Sequence, residues 1–321
     1  MSKHDPLPAI REPEDSTLLT LYLQWRATWR SKLLRGEMLF GYAALIPYMA
    51  GFLIFVAGPL AYSLWLSFNQ YNIFDPPGPV GLVNYALLFE EPLMWKALEN
   101  TAIYSVVSAP LQVIIGFALA LMLNQKVRGL SVWRTIYCVP AVVPVVASAF
   151  LFFSLFQDEV GLINRLLKTV NIEGPNWFSS PTWALRAFII MNLWVSGGGM
   201  IVYLAALRRV PTALYDAAKI DGASAWQRLW NVTIPMTSPA LLFMFMIGII
   251  GSFHVFTSVH FLTDGGPENA TLTYVYWFFR NGWNYLRMGY ASAMAWVLFV
   301  IIFSLSYLCL KVFGRLIHYE V

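Results

Sequence analysis

The chain has 321 residues, 58% of them hydrophobic and 12% charged, with a formal net charge of +4. A soluble globular domain carries about 25% charge, so the composition excludes an ordinary soluble protein. No basic patch interleaves with exposed aromatics, so the small positive balance does not point to nucleic acid.

Residues 1–38 read as a polar tail. Within it Leu18, Leu21, Tyr22, Trp25, Trp29 and Leu33 recur near helical spacing, with Arg26, Arg30, Lys32 and Arg35 between them. That pattern suits a helix lying on a membrane surface. Residues 39–321 hold apolar runs long enough to cross a bilayer, which takes about 20 residues each. Six spans are predicted near Leu39–Leu66, Thr101–Leu123, Trp133–Phe156, Trp183–Leu207, Met236–Leu262 and Tyr290–Phe313. The first run is too long for a signal-peptide core and lacks a small-residue cleavage site, so it is expected to stay as a helix. Pro110, Pro140, Pro144 and Pro239 are expected to bend their spans, which a packed bundle tolerates. Within these limits only Arg134, Arg186 and Lys311 are charged, all near ends where long stems snorkel. Cys138 and Cys309 fall inside spans and read as buried thiols, with no disulfide or metal framework.

With the N-terminus inside, 15 of the 21 Lys and Arg residues fall on the cytoplasmic side. The positive-inside bias therefore places both termini and the loop 208–235 in the cytoplasm. That loop is patterned. Thr212 is expected to cap a first short helix, with Asp216 in its first turn complementing the dipole. Leu214, Ala217, Ala218 and Asp221 share one face, and Gly222 permits a sharp bend. Ser224 and Gln227 stand in capping-box spacing and start a second short helix, expected to finish before Pro235. Trp226 and Leu229 would offer apolar contact.

Asp216-Ala217-Ala218, then Gly222, then Ile234-Pro235 together resemble the EAA loop of the permease subunits of bacterial ABC importers. Asp216 stands where that family has Glu, keeping the charge on a side chain one methylene shorter. Gly81-Leu-Val-Asn-Tyr85, Trp133-Arg-Thr-Ile-Tyr137 before Pro140, and Gly161-Leu-Ile-Asn164 are similar to sugar permeases of the maltose type. So are Thr263-Asp-Gly-Gly-Pro267 and Tyr290-Ala-Ser-Ala-Met294, and the resemblance runs from about residue 40 to the end. It implies an all-α integral membrane protein with the six-helix fold of type I ABC importer permeases. It further implies the transmembrane subunit of a sugar importer in a bacterial inner membrane. The partners implied are a second permease, two ATP-binding subunits that hold ATP and Mg, and an extracytoplasmic solute-binding protein. Asp216, Ala217, Ala218, Asp221, Gly222, Ala223 and Trp226 would then form a coupling helix seated in an ATPase cleft. The turn Asp264–Pro267, with Glu268 and Asn269, would face the binding protein.

The chain has no phosphate-cradling Gly-x-x-x-x-Gly-Lys-Ser/Thr, His-Glu-x-x-His, Cys-x-x-Cys or Gly-x-Ser-x-Gly, so it reads as no enzyme by itself and carries no cofactor. Polar side chains inside spans are costly and usually face the bundle interior. Asn192 and Ser196 share a helical face, while Ser252 and His254 flank Phe253, with Phe256 one turn beyond Ser252. Aromatic faces beside hydrogen-bonding groups suit a sugar ring. Matching to maltose-type permeases places Asn192, Ser196, Gly248 and Ser252 toward a cavity. His254 reads as a hydrogen-bonded structural histidine, since no second metal ligand is near. The rival reading is an ion-coupled secondary transporter, which typically keeps intramembrane carboxylates. No Asp or Glu lies within the predicted spans, and no mid-span Arg or Lys awaits an anion, so neutral sugars lead.

Overall fold

A computed structural model describes residues 32–125 and 128–314. Most of the surface helix expected over Leu18–Leu34 lies outside the described residues. The described residues divide into two compact units, with the boundary between Ser63 and Leu64. In the first, the helix Lys32–Phe52 passes into a π-helical turn, Leu53–Ala57, and then the helix Gly58–Ser67, within which the unit boundary falls. Met38–Ser67, 30 residues, is apolar enough to cross a membrane and is called span 1. From Leu39 to Trp65 its large side chains are exposed, Phe40 and Phe55 at 78%, as suits a helix whose solvent is lipid.

The second unit holds the remaining spans. Span 2 is Pro92–Leu123, span 4 Ala184–Arg209, span 5 Ala225–Leu262 and span 6 Met288–Phe313. Span 3 is a broken pair, Leu130–Val142 and Val145–Leu155, bent by 98°. Among the described residues six spans result when the pair is counted as one, and the break has a local cause. Pro144 forces the residue before it out of the helical region, and Val143 sits at φ −68°, ψ 131°. Pro110 and Pro239, by contrast, lie inside helices that run on without interruption. Span 5 continues through Pro235, contrary to the expected stop. A π-helical stretch, Leu229–Thr233, leads directly into the helix Ile234–Phe253, with Pro235 in its first turn. There the missing N–H breaks no regular i→i−4 bond.

Span 2 is the axis of the unit and packs along both span 4 and span 5. It does so through small buried residues, Ser105, Ser108, Ala109, Gly116 and Ala120. Near one end, Phe117, Ala120 and Leu123 meet Met200, Tyr203, Leu204 and Leu207 of span 4. Near the other, the Asn100 amide donates to the carbonyls of Asn269 at 2.8 Å and Leu272 at 2.9 Å. Thr101 Oγ1 accepts from the Tyr274 N–H at 2.8 Å, so span 2 also fixes the connection between spans 5 and 6.

Span 4 opens as the helix Ala184–Leu193 and tightens to a 3-10 turn at Trp194–Ser196 before the Gly197-Gly198-Gly199 run. These glycines serve a neighbouring helix: a Cβ on Gly197 would lie 1.9 Å from the Tyr137 carbonyl oxygen of span 3. Gly197→Ala is therefore expected to lower stability by roughly 1–3 kcal/mol through forced backbone movement. A thermal melt in detergent checks this, with Gly251→Ala, where a Cβ meets nothing within 4 Å, as the tolerated control.

Candidate functional site

A cavity of about 460 Å³ opens between spans 2, 3, 4 and 5. Asn192 and Ser196 reach it from span 4, Gly248 and Ser252 from span 5, and His254 and Phe256 from the break within span 5 between Phe253 and Thr257. All six residues singled out for the substrate path thus line one space. Gly248 packs on span 2, where an added Cβ would lie 3.4 Å from the Ala109 methyl. The Ser196 hydroxyl is buried without a hydrogen-bond partner. Ser252 Oγ is tied to the Ile249 carbonyl at 2.7 Å. His254 Nδ1 lies 2.6 Å from the Ile250 carbonyl. A carbonyl only accepts, so Nδ1 is the donor here, and in the neutral ring Nε2 would then accept. Phe256 stacks on His260, with centroids 5.3 Å apart and planes 18° apart. Among the described residues no cluster of His, Cys, Asp and Glu could hold a metal ion.

Sequence reasoning overlooked Tyr104 and Gln112 of span 2, Ser148 of span 3, and Thr257, which share the same wall. Gln112 Nε2 approaches the Asn192 carbonyl at 3.4 Å, linking spans 2 and 4 at the lining. The signal was present. Tyr104 and Gln112 stand eight residues apart on one apolar helix, the test applied to spans 4 and 5 but not to span 2. Among the described residues no Asp, Glu, Lys or Arg lines the cavity.

The loop between spans 4 and 5 is built from two helices set against each other. The first, Thr212–Ile220, has Pro211 at its N-cap and no side-chain cap, so Thr212 is inside the helix and caps nothing. Asp216 is correspondingly beyond the first turn, too far to complement the dipole, and pairs with Lys219 at 2.9 Å. Both groups are well exposed, so the pair contributes little. The helix ends in a Schellman arrangement. The Ala223 N–H bonds the Ala218 carbonyl at 2.9 Å, and the Gly222 N–H bonds the Lys219 carbonyl at 3.1 Å. Gly222 takes φ +74°, a conformation that costs any Cβ-bearing residue about 1–2 kcal/mol. Ser224 then starts the second helix with both halves of the expected capping box, Gln227 N–H to Ser224 Oγ and Ser224 N–H to Gln227 Oε1.

Asp216, Ala217, Asp221, Gly222 and Trp226 are exposed, while Ala218 and Ala223 are half-buried in the turn. Ile220 at 87%, Trp226 at 67% and Trp230 at 52% present apolar surface. The two indoles meet edge to face at 5.7 Å. Leu229, expected as a partner contact, instead packs inward on the Phe117–Leu207 cluster, and Trp230 takes the outward role. Tyr215 and Thr233 hydroxyls meet at 3.1 Å and join the two halves of the loop.

On the opposite face, the connection from span 5 turns sharply at Asp264, Gly265, Glu268 and Asn269, all at positive φ. Tyr276 donates its hydroxyl hydrogen bond to Asp264. Burial pushes the Tyr276 phenol well above its usual range, and the Asp264 carboxylate adds to the shift.

Residues 112–318 match the family of binding-protein-dependent transport system inner membrane components. The chain belongs to this family. It is 35% identical over 298 residues to the probable ABC transporter permease protein YesP of Bacillus subtilis, covering 91% of this chain and 96% of that one. It is 33% identical to the trehalose/maltose transport system permease protein MalF of Thermococcus litoralis, covering 89% and 97%. A crystal structure of a bacterial alginate ABC transporter, in complex with its alginate pentasaccharide-bound periplasmic protein, contains a similar chain. The TM-score is 0.77 at 24% identity, over 90% of this chain and 99% of that one, and the fold is shared. The protein is thus a multi-pass membrane permease with the fold of ABC importer permeases, and the secondary-transporter alternative is not favoured.

In this permease the loop's order rests on local caps. Ser224→Ala is expected to cost about 1 kcal/mol of local stability. Hydrogen exchange should read it as roughly fivefold faster opening of residues 225–228, with the spans unchanged.

Proposed function

We propose that this permease is one half of the translocation pathway of an ATP-driven importer of neutral sugars. The observation that carries the reading is the cavity, which combines hydrogen-bonding groups and aromatic rings with no Asp, Glu, Lys or Arg among the described residues. Such a lining offers donors and acceptors to hydroxyls without the cation an anionic solute would need. Relatives such as the trehalose/maltose permease support the same solute class. Asn192, Ser196, Ser252 and the acceptor nitrogen of His254 would contact solute hydroxyls, Phe256 would offer an aromatic edge, and Gly248 would leave room beside them.

Energy comes from separate ATP-binding subunits, which would hold ATP and Mg. The 208–235 loop docks there, with Asp216, Ala217, Ala218, Asp221, Gly222, Ala223 and Trp226 at the contact and Trp230 beside them. Its exposed apolar surface, borne by a helix pair stiffened at both ends, supports that role. The basic residues favour a cytoplasmic loop and cytoplasmic termini. A second permease completes the pathway, and a binding protein delivers solute at the 263–269 face. A rigid loop displaced by the ATPases would move spans 4 and 5 and open the cavity to alternate sides.

Two measurements test this. In proteoliposomes with the full complex, Asn192→Ala and Ser252→Ala are each expected to lower sugar uptake by roughly 3–10-fold, about one hydrogen bond each. Gly222→Pro is expected to abolish ATPase binding or sugar-stimulated hydrolysis while the detergent melt of the permease stays unchanged. Undisturbed assembly and hydrolysis in that variant would place the docking site elsewhere. Uptake driven by a proton or sodium gradient without the ATPases would restore the secondary-transporter reading.

A further inference from the structure

A second cavity, about 470 Å³, lies at the opposite end of the molecule from the 208–235 loop. It sits just beyond the end of span 1 and at the starts of spans 2 and 6, with Gln70, Glu91 and Arg287 at the junctions. The end of span 1 and the start of span 6 place it near the membrane surface, while the first turns of span 2, with the exposed Lys96–Glu99 pair, run outside the apolar core. Its floor is prebuilt. Gly289, which opens span 6, lets the helix close on the strand Asn69–Gln70, where an added Cβ would lie 2.0 Å from the Asn69 carbonyl oxygen. The Gly289 N–H bonds the Tyr71 carbonyl at 3.2 Å. The buried Asn84 amide donates to the Ser67 and Asn69 carbonyls at 2.9 and 3.0 Å, holding the short helix Val83–Glu90 over the same strand.

Three polar side chains that line this cavity have no ion-pair or side-chain hydrogen-bond partner among the described residues, although the Arg287 guanidinium lies 6.0 Å from the centroid of the Tyr285 ring. Glu91 and Arg287 carry opposite charges, yet among the described residues no ion pair joins them. The Tyr290 hydroxyl, on a residue only 9% exposed, has no hydrogen-bond partner. A buried hydroxyl without a partner is costly in a folded protein. The rim is apolar, with Val83 and Leu87 about half exposed beside Val80. A ligand that answers all of these carries an anion and a cation a few atoms apart, together with an apolar body.

We infer that this cavity binds the headgroup of a phospholipid bearing both a phosphate and a primary ammonium, as in phosphatidylethanolamine. The Arg287 guanidinium takes the phosphate by charge-assisted bonds, for which its planar fork is suited. Glu91 accepts from the ammonium, and the Tyr290 hydroxyl donates to a phosphate or glycerol oxygen. Val80, Val83 and Leu87 contact the start of the acyl chains. The ammonium distinguishes this ligand from phosphatidylglycerol, and its N–H donors distinguish it from phosphatidylcholine. The inference rests on the membrane placement of the spans and is independent of the solute the permease carries.

The test uses the assembled transporter, equilibrated in nanodiscs of equal phosphatidylethanolamine, phosphatidylglycerol and phosphatidylcholine and released into mild detergent for native mass spectrometry. Wild type is expected to retain phosphatidylethanolamine over each of the others by roughly tenfold, the scale of one charge-assisted bond. Glu91→Gln should erase the preference over phosphatidylglycerol, Arg287→Gln should lower retention of both by a similar factor, and Tyr290→Phe should lower it several-fold. Melts of the delipidated variants should match wild type, which separates lost binding from lost folding. Equal retention of the three lipids by wild type, or wild-type retention by both Glu91→Gln and Arg287→Gln, would overturn the assignment. Soluble glycerophosphoethanolamine binding as tightly as the lipid would overturn the role of the apolar rim and with it the lipid reading.

Discussion

In hydrocarbon, lipid tails are as apolar as leucine, so no hydrophobic effect pulls helices together. Association then rests on close contact and hydrogen bonds. Span 2 meets that constraint with a row of small residues, and spans 4 and 5 close on it at different depths. Where Gly197 meets the Tyr137 carbonyl, the approach is so close that no side chain fits between the backbones. Span 3 joins the core through that contact. Because four helices converge on so little side-chain volume, the space they fail to fill collects in one place, and that place is the central cavity.

The cavity's polar character follows from the same economy. Each departure from regular helix around it, the 98° break at Val143–Pro144, the 3-10 turn at Trp194–Ser196 and the end of the helix at His254, lies against the lining. Irregular backbone is tolerated at membrane depth only where it is packed in protein or faces water. Three such departures around one void therefore mark it as a wet space. The unpartnered Ser196 hydroxyl fits that view, since water or a solute hydroxyl would satisfy it.

The spans, their number and the residues clustered at the cavity were legible because an intramembrane polar side chain is rare and each one carries information. Asn192, Ser196 and Ser252 stand out against leucine and phenylalanine in a way no serine does in a soluble helix. Gly222 and the Ser224–Gln227 box were legible for a similar reason, since each has a single local geometry that explains it. Thr212, Leu229 and Pro235 were misread because propensity alone does not fix where a helix begins or ends. Pro211 is compatible with the N-cap, so the helix starts one residue earlier than a Thr212 hydroxyl cap would place it. At Pro235 a wide π-helical turn absorbs what a regular helix would reject. Which of two neighbouring apolar residues turns outward, Leu229 or Trp230, depends on that added residue per turn, which shifts the register of everything before it.

The same turn gives the loop an asymmetry that bears on how it acts. On the span 4 side it is joined through Val210 and Pro211, both in extended conformation, so no helical hydrogen bond carries force across the joint. On the span 5 side helix runs unbroken from Ala225 through the π-helical stretch to Phe253, and Leu229 anchors it on the cluster shared by spans 2 and 4. A push on the exposed Trp226–Trp230 pair is therefore carried into span 5 as into a lever. Span 4 follows through side-chain packing and the Tyr215–Thr233 contact instead of through the backbone. Gly248 and Ser252 lie on that helix at the cavity wall, so a displaced loop would reach the lining on the span 5 side first.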